Sequence, residues 1–167
     1  MTAGAAAALL PLAAAIGLWV AWSDMKFMKI PNTAVLALAL VWLVPGLAVV
    51  ALTGLSLSAW AWGWALAGLV LVIGFLANLA RLIGAGDAKF AAAMAPFFVG
   101  ADLRLVAILF AACMLAAVAT HRAMRHLRPV RAASADWASW TDKDFPMGLA
   151  LAGTLVFHLL LTILHAS

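Results

Sequence analysis

Two aspartates are the residues best placed to do chemistry. The chain carries six carboxylates, all of them aspartates, and no glutamate. Asp24 follows "LWVAWS" at the end of an apolar run, and Asp87 falls inside "LIGAGDAKFAAAMAPFFVG". Asp102, Asp136, Asp142 and Asp144 lie instead in loops or at a loop edge, where water solvates them. An ionised aspartate below the headgroups costs about 2 to 3 kcal/mol or more, so Asp24 and Asp87 each need a long-range partner, water or a proton. Lys26 and Lys89 follow them by two residues, whereas helical neighbours are three or four apart, so neither lysine shares its aspartate's face. Two carboxyls that faced each other would hold one proton between them near neutral pH, because like charges a few Å apart oppose double ionisation. Such a pair can hydrolyse a peptide with neither metal nor cofactor. One carboxylate takes a proton from the attacking water, the protonated partner donates to the carbonyl oxygen, and a proton later reaches the leaving amine. Gly84 and Gly86 would let an extended substrate backbone approach. The same residues also suit a small ion or proton transporter with the aspartates as relay groups, or close helix packing at the glycines. Residue chemistry alone leaves catalysis, transport and a structural role open.

The elements that must position these residues follow from composition. Of 167 residues 68% are hydrophobic and 10% charged, and the mean hydropathy is +1.16, against roughly half apolar and a quarter charged in soluble domains. This composition predicts an all-α, polytopic membrane protein, residues 1–167 forming a single transmembrane domain. Apolar runs of spanning length fall near residues 3–22, 33–53, 59–80, 82–100, 103–120 and 145–165, which gives six transmembrane helices at about 20 residues each. The first run lacks a basic n-region and leads into a basic loop, and so reads as an uncleaved span rather than a signal peptide. Six spans put the loops at 23–32, 81–87 and 121–144 on one side, with nine of the ten basic residues and all but Arg104. The positive-inside rule makes that side cytoplasmic and puts both termini outside. The formal charge of +4 therefore orients the protein among membrane lipids and gives no soluble face for nucleic acid.

Two segments together resemble a known family. "SDMKFMKIPN", residues 23–32, resembles the first aspartate motif of type IV prepilin peptidases, an aspartate followed by a basic stretch and Ile30, Pro31 and Asn32. "GAGDAKF", residues 84–90, resembles the GxGD motif of the same intramembrane aspartyl proteases, with Lys89 two residues on. A third match, "FPMG" at 145–148, is similar to the Pro-x-Gly approach to the last span, with Pro146 and Gly148 in place and Met147 where the family often has an aromatic residue. The resemblance covers essentially the whole chain. It implies a GxGD aspartyl protease-like fold with Asp24 and Asp87 as the catalytic pair. It further implies cleavage of the short basic leader of a type IV, Flp-like prepilin or pseudopilin precursor at the cytoplasmic face of the bacterial inner membrane. The paired-cysteine segment of the larger prepilin peptidases is absent, so the resemblance is to the compact, peptidase-only branch without N-methyltransferase activity. Gly84, Gly86, Lys89, Ile30, Pro31, Asn32, Pro146 and Gly148 are carried over as substrate-binding or supporting positions. The oligomeric state is not readable.

The remaining features read as structural. Ile30, Pro31 and Asn32 turn the chain into the second span, with proline fixing the backbone and asparagine able to cap a helix. Lys89 could hold the leader, tune the aspartates or snorkel to the interface. Asn78 reads as a helix–helix hydrogen bond. Arg122, Arg125, Arg128 and Arg131 recur every third residue, which predicts a short amphipathic stretch at the membrane surface until Pro129 interrupts it. Trp60, Trp62 and Trp64 read as interface anchors. Cys113 reads as a small buried hydrophobe, and the four histidines show no metal-ligand spacing.

Overall fold

Apolar runs of this length fold as helices because a helix satisfies its own backbone polar groups where water cannot. The computed structural model describes residues 1–165, and no strand occurs among them. Seven helices follow in order: α1 (Ala3–Phe27), α2 (Asn32–Thr53), α3 (Leu57–Leu79), α4 (Ala85–Met94), α5 (Leu103–His126), α6 (Arg128–Ala133) and α7 (Gly148–Leu164), with 3₁₀ turns at Ala95–Phe98 and Ala138–Trp140. Four of them, α1, α2, α3 and α5, are long and apolar enough to cross a membrane, and α7 is a shorter apolar helix.

Local signals set the ends. Thr2, Ser56 and Asp102 cap α1, α3 and α5 by accepting from the N–H groups of Ala5, Ala59 and Arg104. Gly54 ends α2 at φ 73°, in the left-handed region that glycine enters without penalty. The expected span at 82–100 is instead a turn followed by α4 and the 3₁₀ turn, because Pro96 cannot continue the ladder of α4. Together these two elements are only about 23 Å long at 1.5 and 2.0 Å per residue. Pro129 also acts differently from the expectation. It lies in the first turn of α6, where its missing N–H costs nothing, and so begins a helix after α5 has ended at His126.

Small residues bring the helices close. Gly17 on α1 faces Ala152 on α7, with room for a Cβ at only 3.4 Å, and Gly74 on α3 faces Ala88 on α4 at 2.9 Å. Around these contacts Trp42, Phe90, Phe97, Leu9, Leu38 and Leu155 are fully buried, while large apolar side chains such as Leu18, Leu52 and Leu115 point outward. Trp42 and Trp60 each donate from Nε1 to the other's carbonyl, at 3.2 and 2.9 Å, which ties α2 to α3. Trp60 is thus held by a specific pair, whereas Trp62 is 69% exposed, as an anchor would be.

Contacts between elements identify two ends. At one, the Met1 ammonium donates to the Val99 carbonyl and the Thr2 hydroxyl to that of Thr53. At the other lie the C-terminal ends of α1, α3 and α5 and the N-terminal ends of α2, α4 and α7, and the two aspartates are there.

Candidate active site

Each aspartate is positioned by glycine contacts. Asp24 sits near the end of α1, just before the chain leaves the helix through Met28 at φ 52°. The Ser23 hydroxyl donates to the Lys29 carbonyl at 2.9 Å and holds the following turn closed. Asp24 is 5% exposed, and its Oδ2 accepts a 2.7 Å bond from the N–H of Gly148, the first residue of α7. A Cβ at Gly148 would lie 2.9 Å from both Cβ and Oδ2 of Asp24. Only glycine lets the start of α7 approach the carboxylate this closely. Pro146, fully buried, shapes the backbone immediately before it.

Asp87 lies in the first turn of α4, three residues after the N-cap Gly84. Its carboxylate folds back to the Gly84 backbone in the manner of a capping box, in the space a side chain at Gly84 would need. Helix N-termini favour negative charge, which suits a carboxylate there. Gly86 plays a different part from Gly84. A Cβ there would meet that of Ile30 at 3.2 Å, so its missing side chain lets α4 pack against the turn before α2. The Gly74–Ala88 approach fixes the opposite side of the same turn of α4.

Asp24 and Asp87 both line one cavity of about 520 Å³, and they are near enough for the charge of one to act on the other. Of the residues singled out in the sequence, Gly84 also lines it. Ile30 is buried beside Gly86. Pro31 is the N-cap of α2, and Asn32, its first residue, makes no cap with its side chain. The Asn32 Oδ1 instead accepts from Lys89 Nζ at 3.2 Å. Lys89 thus ties α4 to α2 and is not among the residues lining the cavity.

Several lining residues were not singled out in the sequence as site residues. Asn78 donates from Nδ2 to the Ile83 carbonyl at 2.9 Å, closing the turn between α3 and α4 rather than joining two helices. Arg81, at φ 58°, makes the same turn and lines the cavity. Met28, Leu82, Ile83, Asp142, Asp144, Phe145 and Met147 complete its wall. Asp142 and Asp144 come from the 121–144 segment, which folds back over the end of α1. There Lys26 pairs with Asp136 at 3.1 Å, and the Arg131 guanidinium and the His121 ring both pack on Trp140. Four of the six aspartates thus gather at one cavity although only two were expected to, and Arg131 of the arginine repeat packs within this segment. Among the described residues no three His, Cys, Asp or Glu side chains are grouped to hold a metal ion.

A cavity with two interacting carboxyls at the end of an apolar bundle can hold a water between a proton acceptor and a proton donor. Comparison with known proteins gives one match. The family model described as the type IV leader peptidase family matches residues 11–120, a stretch that includes both aspartates. Neither the curated proteins nor the solved structures contain a match.

Proposed function

The chain belongs to the type IV leader peptidase family, and from that premise we propose a membrane aspartyl endopeptidase in which Asp24 and Asp87 activate water to cut a prepilin-type precursor. The observation that carries the proposal is the shared cavity, which joins two carboxylates from helices 63 residues apart in sequence. In the working state one of the two carboxyls is ionised and the other protonated, since adjacent like charges oppose double ionisation. The ionised group removes a proton from water as its oxygen attacks the scissile carbonyl carbon. The protonated group donates to the carbonyl oxygen, and the tetrahedral intermediate collapses as a proton passes to the leaving amine. The Gly148 N–H holds Asp24 in one orientation, and the Gly84 backbone does the same for Asp87.

The basic leader has a counterpart in the carboxylates of Asp142 and Asp144 at the cavity wall. Nine of the ten basic residues lie towards this end of the bundle, which supports a six-span, cytoplasm-facing orientation in the bacterial inner membrane, with both termini outside. In this reading the protein is of the peptidase-only, Flp-like branch, and no methyl transfer is assigned to it. Residues 1–167 work as one domain in this reading.

Co-expression with a prepilin-type precursor tests the proposal by gel mobility. A leader-sized shift is expected with the wild type, and none with Asp24→Asn or with Asp87→Asn. Wild-type cleavage by either variant refutes the assignment of the pair. If the aspartates instead relay protons, the wild type produces no shift, and the variants lose proton flux in vesicles.

A further inference from the structure

A separate apolar groove begins one helical turn beyond the active-site cavity along α4 and α7, where Ala91 follows Asp87 and Leu151 follows Met147. This groove, of about 420 Å³, runs between α3 and α5, walled by Leu66 and Val70 on one side and Val106 and Phe110 on the other, with Ala91 and Leu151 on its floor. No charged side chain lines it. The groove exists because α5 packs mainly on α7 while α3 packs on α4, so the two walls are not drawn together. Position along α4 links it to the catalytic residues. Asp87, Ala91, Met94 and Phe98 follow at intervals of four, three and four residues and form one stripe. Its first member lines the cavity, and the other three line the groove.

We infer that this groove seats the apolar helix that follows the scissile bond of the precursor; this rests on the peptidase reading above and specifies where its substrate lies. The order of chemistry along the enzyme supports this occupant over an acyl chain. Asp142, Asp144, Asp24 and Asp87 share one cavity, and the uncharged groove lies one turn beyond it along α4. This matches a basic leader with its scissile bond, followed by an apolar segment. Ala91, Ala95, Gly100 and Ala101 line the groove, and small residues allow a helix to approach closely in lipid, where packing rather than water exclusion drives association. From Asp87 to Phe98 the stripe is about 18 Å long, enough for about 12 helical residues of substrate beyond the cut.

Two substrates separate this inference from the function it rests on. One is a model precursor with a basic leader, the cleavage site and a 20-residue apolar helix, and the other a soluble peptide ending four residues after the cleavage site. With the enzyme in lipid vesicles, Leu66→Trp and Val106→Trp, which fill the groove from opposite walls, are expected to raise KM for the precursor about tenfold or more. Cleavage of the short peptide should stay within about twofold of wild type. A photo-crosslinking residue at position 106 in an Asp87→Asn background should capture the precursor. The same residue at position 115, half a turn round α5 and 73% exposed in place of Leu115, should not. Equal losses on both substrates, equal capture at both positions, or adducts at position 106 to lipid alone would overturn the groove while leaving the peptidase intact. Failure of the wild type to cut either substrate overturns the peptidase reading and this inference with it.

Discussion

Gly148→Ala adds one methyl group and keeps the N–H that binds Asp24, so it isolates the closeness of α7 to the Asp24 carboxylate. The new Cβ would lie 2.9 Å from Asp24 Cβ, against about 3.5 to 4.0 Å for an unstrained pair of carbons. Asp24 Cβ is fixed to the α1 backbone, so relief requires α1 and α7 to separate by about 0.5 to 1 Å. The bond from Gly148 to Oδ2, now 2.7 Å, then reaches or passes the 3.2 Å limit of good geometry. A bond to a charged acceptor contributes about 1.5 to 3 kcal/mol, and each 1.36 kcal/mol is tenfold in rate. A 1 Å misplacement can itself cost about 100-fold. The expected result is a fall in kcat of about 10- to 100-fold with KM nearly unchanged, read as initial rates of precursor cleavage in vesicles. Gly153→Ala, on the same helix, is the control. Its nearest neighbour is Cys113 Sγ at 3.7 Å, an ordinary contact, so it should retain wild-type rates. Thermal unfolding of both variants distinguishes misplacement from misfolding. A wild-type rate for Gly148→Ala, or an equal loss in Gly153→Ala, would refute the reasoning.

Gly63→Ala should lower stability without touching the site, because its Cβ would fall 2.7 Å from the Nε1 atom of the fully buried Trp42. Overpacking of this kind costs about 1 to 3 kcal/mol, visible as a lower Tm in detergent with cleavage unchanged well below it. Lys89→Ala and Asn32→Ala should each reduce stability by about 1 kcal/mol or less, and the double variant should be no worse than either single one, since both remove one bond; additive losses would show that Lys89 acts elsewhere. Cleavage should follow a bell-shaped pH profile, lost at low pH when both carboxyls are protonated and at high pH when both are ionised, and a single sigmoid would count against a shared proton. Activity should persist in a metal chelator, and strict metal dependence would sink the two-carboxyl mechanism.

How much of this was legible in the sequence depends on the range of the interaction. Apolar length alone reveals α1, α2, α3 and α5, because each run is long enough to be a helix whatever its neighbours are. It does not show how the segment at 82–100 is built, where Gly84 and Pro96 confine the α-helix to ten residues. Asp24 and Asp87 were visible as charges out of place, yet nothing local could show what holds them. The donor to Asp24 lies 124 residues away, and glycine carries no side chain whose type announces the contact. Asp142 and Asp144 were hidden for the opposite reason. They read as solvated and are exposed in the structure, but the pairing of Asp136 with Lys26 at the end of α1 holds their segment where they also form part of the cavity wall.

The lysines beside the two motifs make the most informative contrast between sequence and fold. Two residues from each aspartate, they invite an ion pair, but helix geometry points them away and the fold uses them elsewhere, Lys26 on Asp136 and Lys89 on Asn32. Among the described residues neither Asp24 nor Asp87 has a salt bridge. A lysine locked onto either carboxylate would hold it ionised and remove it from proton exchange. The carboxyls are instead fixed by backbone contacts to Gly148 and Gly84, which set direction without adding a full positive charge. Position is thus separated from protonation, as the proposed exchange of one proton between the two carboxyls requires. Introducing a cation against Asp24, as Met147→Lys would do at the cavity wall, should abolish cleavage while leaving the helices folded.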